Sequence, residues 1–112
     1  MEGEYWFNTE PISNHIDIIF EYEQYQFINE VVQLCSVDEL NNIINSIKER
    51  IEKNRPYSYA QEYFSICVNL SLCKIEYELP NQHHTCYILA IDLIEILEKY
   101  LYLYEHLDDR FK

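Results

Sequence analysis

The chain has a single glycine, Gly3, among its 112 residues. Phosphate-binding loops, dinucleotide-binding turns and the sharp turn that exposes a nucleophilic serine all need glycines at fixed spacings. None of these motifs can form here, and no other catalytic pattern is present. We therefore predict that the protein is not an enzyme and needs no cofactor. Two-residue hairpin turns that depend on glycine are also disfavoured, which favours longer connections or helices.

Positive charge is missing from the first part of the chain. No lysine or arginine occurs from Met1 to Ile47, and the whole chain has 20 acidic and 8 basic residues, for a formal net charge of −12. Such a protein repels nucleic-acid phosphates and anionic membranes and attracts basic proteins. We expect a partner with a basic surface, no direct binding of nucleic acid and no binding to a membrane.

Long apolar runs and a signal peptide are missing as well. The longest apolar stretch is interrupted by Asp92, Glu95 and Glu98, so no segment has the length of a membrane span. The first residues lack the basic and apolar regions of a signal peptide. These features predict a cytoplasmic protein with reduced cysteines. The length and the 48% hydrophobic content predict a single domain over residues 1–112.

Alternation of apolar and polar residues predicts several strands. Residues 4–8 are rich in aromatics, and residues 15–22 alternate with period two. The apolar face of this second strand would consist of Ile16, Ile18, Phe20 and Tyr22. Residues 62–79 alternate in two runs of opposite parity, which indicates two strands joined by a turn or bulge. One helix over residues 59–78 is the alternative. A further strand is predicted over residues 84–90.

Two segments have the signatures of capped helices. Residues 36–54 begin with a serine followed three residues later by a glutamate, and Asp92 is followed by Glu95 in the same way. Residues 25–35 fit either a helix or a strand, and their paired valines favour a strand. The predicted fold is α+β, a mainly antiparallel sheet packed against two amphipathic helices. The scarcity of glycine leaves an all-α four-helix bundle as the alternative.

Five cysteine and histidine residues in the second half of the chain are candidate zinc ligands: Cys67, Cys73, His83, His84 and Cys86. Structural zinc sites use two close ligand pairs, and only His83 and Cys86 are close enough to form one. Buried free cysteine is common because the side chain is small and apolar. We therefore predict no metal site, and a small metal-binding protein is the alternative.

Tyrosines next to carboxylates are the remaining candidates for function. Tyrosine accounts for 11 of the 112 residues. In protein interfaces tyrosine supplies a large buried area at a low cost in entropy, and carboxylates steer a basic partner into register. The predicted partner-binding residues are Glu21, Tyr22, Glu23, Tyr25, Glu76 and Glu78. The alternative is that the tyrosines pack in the core and the acids only keep the protein soluble.

The chain as a whole is small, strongly acidic and rich in tyrosine, and its segment from Asp92 to Leu101 is an amphipathic Asp-Leu-Ile-Glu-Ile-Leu-Glu-Lys-Tyr-Leu. In these respects it resembles the bacterial immunity proteins of contact-dependent growth inhibition and bacteriocin-like systems. The resemblance implies that the protein neutralises a cognate toxin domain, often a basic nuclease, by blocking its active site or substrate path. A phage-type acidic mimic of nucleic acid that inhibits a host nuclease is the alternative.

Overall fold

The computed structural model describes residues 1–10 and 15–107. These residues form two antiparallel sheets and three α-helices. In chain order the elements are β1 (Tyr5–Glu10), β2 (His15–Phe20), α1 (Phe27–Gln33), α2 (Val37–Glu52), β3 (Tyr57–Ala60), β4 (Phe64–Asn69), β5 (Leu72–Leu79), β6 (Gln82–Leu89) and α3 (Ala90–Glu105). The α+β prediction is confirmed and the four-helix bundle is excluded. The structure differs from the prediction in having a second sheet and a third helix.

The larger sheet has the strand order β3-β4-β5-β6, and each strand is antiparallel to its neighbour. Two strands therefore occupy residues 62–79, and the single helix over 59–78 is excluded. The turn between β4 and β5 contains Leu70 with a φ of 58°, a conformation that glycine normally supplies. Pro80 and Asn81 form a second two-residue turn. The expectation that a lack of glycine would lengthen these connections was wrong.

One face of this sheet is covered by helices and the other is open. On the covered face lie buried side chains of the sheet and of α2 and α3: Ile66, Val68, Cys73, Ile75, Cys86, Ile88, Leu40, Ile43, Ile47, Leu93, Ile96 and Leu97. Burial of each large aliphatic side chain favours folding by roughly 1.5–3 kcal/mol. On the opposite face the residues of β6 are exposed, and those of β5 are half-buried or exposed. In the described chain that face is left to solvent.

The segment 25–35 is a helix, and our preference for a strand was wrong. A short 3-10 turn at Glu23–Tyr25 leads into α1, and Phe27, Ile28, Val31 and Val32 are buried at helical spacing. The paired valines suggested a strand because of their β-branched side chains. Tertiary packing overrides this weak preference, since the apolar face of α1 joins the core.

Amide side chains of the α1 region close the open edge of β2. Gln26 accepts a hydrogen bond from the Phe20 amide at 3.0 Å and donates one to the Ile18 carbonyl at 2.9 Å, Asn29 accepts one from the Ile18 amide at 2.8 Å, and Gln33 donates one to the Ile16 carbonyl at 2.7 Å. An unpaired strand edge would otherwise expose these backbone groups. The helical segment therefore stabilises β2 by bringing amide side chains to its unpaired edge.

Helix α2 begins as the sequence predicts. The Ser36 hydroxyl accepts a hydrogen bond from the Glu39 amide at 3.1 Å, and the Glu39 carboxylate accepts one from the Ser36 amide at 3.3 Å. The Tyr59 hydroxyl donates a further hydrogen bond to the Glu39 carboxylate at 2.8 Å and connects the helix to β3. The bonds from Tyr59 and the Ser36 amide lower the pKa of the Glu39 carboxyl. The capping box therefore also positions β3.

Replacement of Ser36 by alanine should reduce the free energy of unfolding by about 1 kcal/mol, because an amide at the helix start loses its acceptor. Urea denaturation measures the change. Asn42→Ala is a matched control, since Asn42 is exposed in the middle of α2 and alanine favours the helix. Equal stability of the two variants would contradict the capping role.

Helix α3 starts earlier than predicted. It begins at Ala90, directly after β6, and Leu89 precedes it without a side-chain cap. The predicted cap Asp92 instead pairs with the amino group of Met1. Near the end of this helix the Tyr104 side chain is exposed. Among the described residues, none of the helices has the combined length and apolar character of a membrane span.

Candidate functional site

Glu21 and Tyr22 follow the end of β2 and lie against the start of the chain. The Glu21 carboxylate accepts a hydrogen bond from the Glu4 amide at 2.7 Å, and the Glu21 amide donates one to the Glu4 carbonyl at 2.8 Å. Gly3 has a φ of 78°, and a side chain there would collide with the Tyr22 ring. Tyr22 is half exposed instead of belonging to the apolar face of β2. Glu21 thus has a structural role that the sequence did not show.

Tyr25 and Glu23 belong to the same 3-10 turn but have opposite surroundings. Tyr25 is only 6% exposed, and its ring centroid lies 6.2 Å from that of Phe20. It therefore packs in the core and adds no contact area. Glu23 is exposed, and its carboxylate has no ion-pair partner within the described residues. Glu21 and Glu23 are the two carboxylates predicted in this segment, and of these Glu21 holds the Glu4 amide whereas Glu23 is exposed to solvent.

A groove of about 620 Å³ separates this turn and α1 from the start of β6. Its lining residues are Glu23, Gln24, Gln26, Phe27, Glu30, His83, His84 and Thr85. The Phe27 ring stacks on His84 with centroids 5.7 Å apart and on Tyr77 with centroids 6.3 Å apart. These aromatic contacts connect α1 with β5 and β6 at the groove.

The charge of the groove is negative. Glu23 and Glu30 lie on the side of the groove formed by the 3-10 turn and α1, and no lysine or arginine is among the lining residues. The lysines of the described chain are already paired elsewhere. The pairs are Lys48 with Glu98, Lys53 with Glu49, Lys74 with Glu76 and Lys99 with Glu95. The carboxylates of the groove are thus available to an external cation.

Glu76 and Glu78 lie on the open face of β5. Glu76 pairs with Lys74 at 2.9 Å and with His83 at 3.5 Å, and the hydrogen bond from Lys74 lowers the pKa of its carboxyl. Glu78 is exposed and sits opposite His83 in the sheet register. Because His83 also lines the groove, Glu76 and Glu78 are neighbours of a groove residue. Glu21 and Tyr22 are not groove residues.

The five candidate zinc ligands do not form a cluster. Cys73 and Cys86 are buried on the covered face of the sheet, whereas Cys67 is exposed and neighbours Ser58 at 3.6 Å. His83 is on the open face, and His84 stacks on Phe27. The described residues contain no group of three or more histidine, cysteine, aspartate or glutamate side chains placed to hold a metal ion.

The cysteines should differ sharply in reactivity. Burial raises the pKa of Cys35, Cys73 and Cys86 to about 12, and the thiolate is the reactive form. At pH 8 an alkylating reagent should modify Cys67 rapidly and the other three only after unfolding. Peptide mass spectrometry over a time course measures this order. Modification of Cys73 or Cys86 as rapid as that of Cys67 in the native protein would contradict it.

Of the eight groove residues, only Glu23 was among the predicted partner-binding residues, and Phe27, Glu30 and His84 are among the seven that were missed. Glu23, Phe27 and Glu30 are spaced four and three residues apart, which places them on one face if the segment is helical. This helical spacing was present in the sequence, but it was not recognised because residues 25–35 were assigned to a strand. His84 had been considered only as a metal ligand.

The groove offers carboxylates, amide groups and an aromatic surface beside a strand. Carboxylates form their strongest hydrogen bonds with guanidinium and ammonium groups, and aromatic faces also attract such cations. The arrangement therefore suits lysine and arginine side chains of another protein. No protein family, curated protein or solved structure matches this chain.

Proposed function

We propose that the protein is an inhibitor of the immunity type. It binds the basic surface of a cognate toxin domain and blocks the active site or substrate path of that toxin. The observation that carries this proposal is the pair of exposed carboxylates, Glu23 and Glu30, in a groove without lysine or arginine. A nuclease binds phosphates with positive charges. Carboxylates held in a fixed groove compete for the same charges.

The net charge and the open sheet face have separate roles in this proposal. A charge of −12 accelerates the encounter with a basic partner and makes its rate sensitive to salt. Exposed apolar side chains on the open face, among them Leu72 and Tyr87, supply area that becomes buried on binding. Steering and anchoring are therefore assigned to different residues.

A cytoplasmic site of action belongs to the same proposal. All four cysteines are unpaired in the structure, which suits a reducing compartment. An inhibitor in the cytoplasm meets a toxin domain at the place where a nuclease would act. The proposed partner is a protein, and neither nucleic acid nor a membrane is proposed to bind directly.

Purification of the tagged protein from cells that encode it tests the proposal. We expect one stoichiometric basic partner whose expression alone stops growth, and co-expression of this chain should restore growth. The groove variant Glu23→Lys with Glu30→Lys should restore growth less well. A basic partner that is harmless to cells would contradict the immunity function. Several nucleases displaced by DNA would instead indicate the phage-type mimic.

A further inference from the structure

Strand β6 is the last strand of the larger sheet, and one of its edges is unpaired. The Ala90 amide donates to the Ser71 carbonyl at 2.8 Å, in register with the pairing of Leu72 and Leu89. Hydrogen-bonded pairs alternate along an antiparallel ladder. The even-numbered residues of β6 therefore bond to β5, and the odd-numbered ones direct their amides and carbonyls away from the sheet. The outward residues are His83, Thr85, Tyr87 and Leu89.

This edge lacks the protection that other edges of the fold have. The corresponding edge of β2 is closed by amide side chains of the α1 region, and β3 is only four residues long. β6 has eight residues and contains no proline, lysine or carboxylate. Short length, proline and charged side chains are the usual features that prevent pairing at an exposed strand edge. Within the described chain no hydrogen bond involves the outward backbone groups of His83, Thr85 and Tyr87, whereas the Leu89 carbonyl precedes α3 and serves its first turn.

We propose that β6 is a docking edge, to which an extended basic segment of the partner protein adds as a further strand of the sheet. Main-chain hydrogen bonds would supply affinity and the neighbouring side chains would supply specificity, as in other cases of strand addition. The inference rests on the proposed function only in taking the partner to be a basic protein.

The surroundings of the edge define the chemistry of the incoming strand. His83 and Thr85 line the groove that also contains Glu23 and Glu30, so lysine or arginine side chains are expected at this end. At the other end Leu89 is 44% exposed, and its cross-strand neighbour Leu72 is 45% exposed. Apolar side chains are expected there. A second copy of β6 contains no lysine or arginine to match the carboxylates.

Three synthetic peptides as long as β6 separate strand pairing from simple charge attraction. One alternates valine and lysine, one alternates valine and glutamate, and one alternates lysine and proline. The valine–lysine peptide should bind and slow hydrogen exchange of the Thr85 and Tyr87 amides by about tenfold or more. The valine–glutamate peptide has the wrong charge, and the lysine–proline peptide cannot form the ladder. Neither should protect these amides.

A proline at position 85 tests the edge in the protein itself. Thr85→Pro removes an outward amide that the β5–β6 ladder does not use, and prolines are tolerated at such edge positions. It should weaken binding of the valine–lysine peptide by about tenfold or more, whereas Thr85→Ala, which keeps the amide, should stay within about twofold. Unchanged protection of the Cys86 and Ile88 amides verifies that the variant is folded.

Three results would overturn the inference. Equal binding of the valine–lysine and lysine–proline peptides, without protection of the Thr85 amide, would show recognition of charge alone and would leave the proposed function standing. Absence of binding by the valine–lysine peptide would exclude strand addition by a basic segment. Protection of Thr85 and Tyr87 that grows with the concentration of the free protein would assign the edge to a second copy.

Discussion

Reversal of the charges of Glu23 and Glu30 together, as Glu23→Lys with Glu30→Lys, should slow association with the captured basic partner by about tenfold or more at low ionic strength. The two carboxylates face a groove without compensating lysine or arginine. Stopped-flow measurements at increasing salt concentration show how the difference in association rate depends on ionic strength. The Debye length falls from about 30 Å at 0.01 M to about 8 Å at 0.15 M salt, so the difference from the native protein should shrink.

A matched variant separates local charge from net charge. Glu52 and Glu105 are exposed at the ends of α2 and α3, and neither lines the groove. Glu52→Lys with Glu105→Lys changes the net charge by the same amount. It should slow association much less than the groove variant. Equal slowing by both variants would mean that only the total charge matters and that the groove is not the contact. Glu21 is unsuitable for this test because it holds the Glu4 amide.

Replacement of Asn29 by alanine should lower the free energy of unfolding by about 2–3 kcal/mol. Asn29 is 6% exposed, accepts a hydrogen bond from the Ile18 amide at 2.8 Å and donates one to Asp17 at 3.1 Å. Alanine leaves the buried Ile18 amide without its acceptor. Urea denaturation measures the loss.

The adjacent residue supplies the control for this variant. Glu30 is exposed on the same helix, and Glu30→Ala should change the free energy of unfolding by no more than about 0.5 kcal/mol. A similar small change for both variants would show that the Ile18 amide does not depend on Asn29. The amide closure of the β2 edge would then be a minor term in stability.

Elements with local signals could be predicted from the sequence. The capping box of α2 needs only a serine and a glutamate three residues apart, and both hydrogen bonds are present. The change of parity between β4 and β5 was visible because one face of a strand must be apolar. The positive φ of Leu70 explains how the chain turns there without glycine.

Elements that depend on distant contacts could not be predicted in the same way. Residues 25–35 are helical because their apolar side chains enter the core while Gln26 and Asn29 bind the edge of the preceding strand β2, outside the range of helix and strand propensities. Asp92 has the spacing of a helix cap, but it pairs with the amino group of Met1. Capping and β-branching rules describe only neighbouring residues.

The candidate site was predictable in part. Sequence reasoning selected Glu23 and Glu76, and the structure places both near the groove because His83 lines it and contacts Glu76. Tyr25 was expected at the surface but is buried against Phe20. Glu30 was missed because its segment was assigned to a strand. Charge and composition indicated the kind of partner, and only the fold brings residues from α1 and β6 together.

Hydrogen exchange of the whole chain, free and bound to the captured basic partner, tests the central claim most directly. The claim is that the partner binds along the groove between α1 and β6. We expect slower exchange in residues 23–30 and in the outward amides of β6, which include Thr85 and Tyr87, with no change at the end of α2. Protection confined to the end of α2 or to the exposed side of α3, with β6 unchanged, would contradict it.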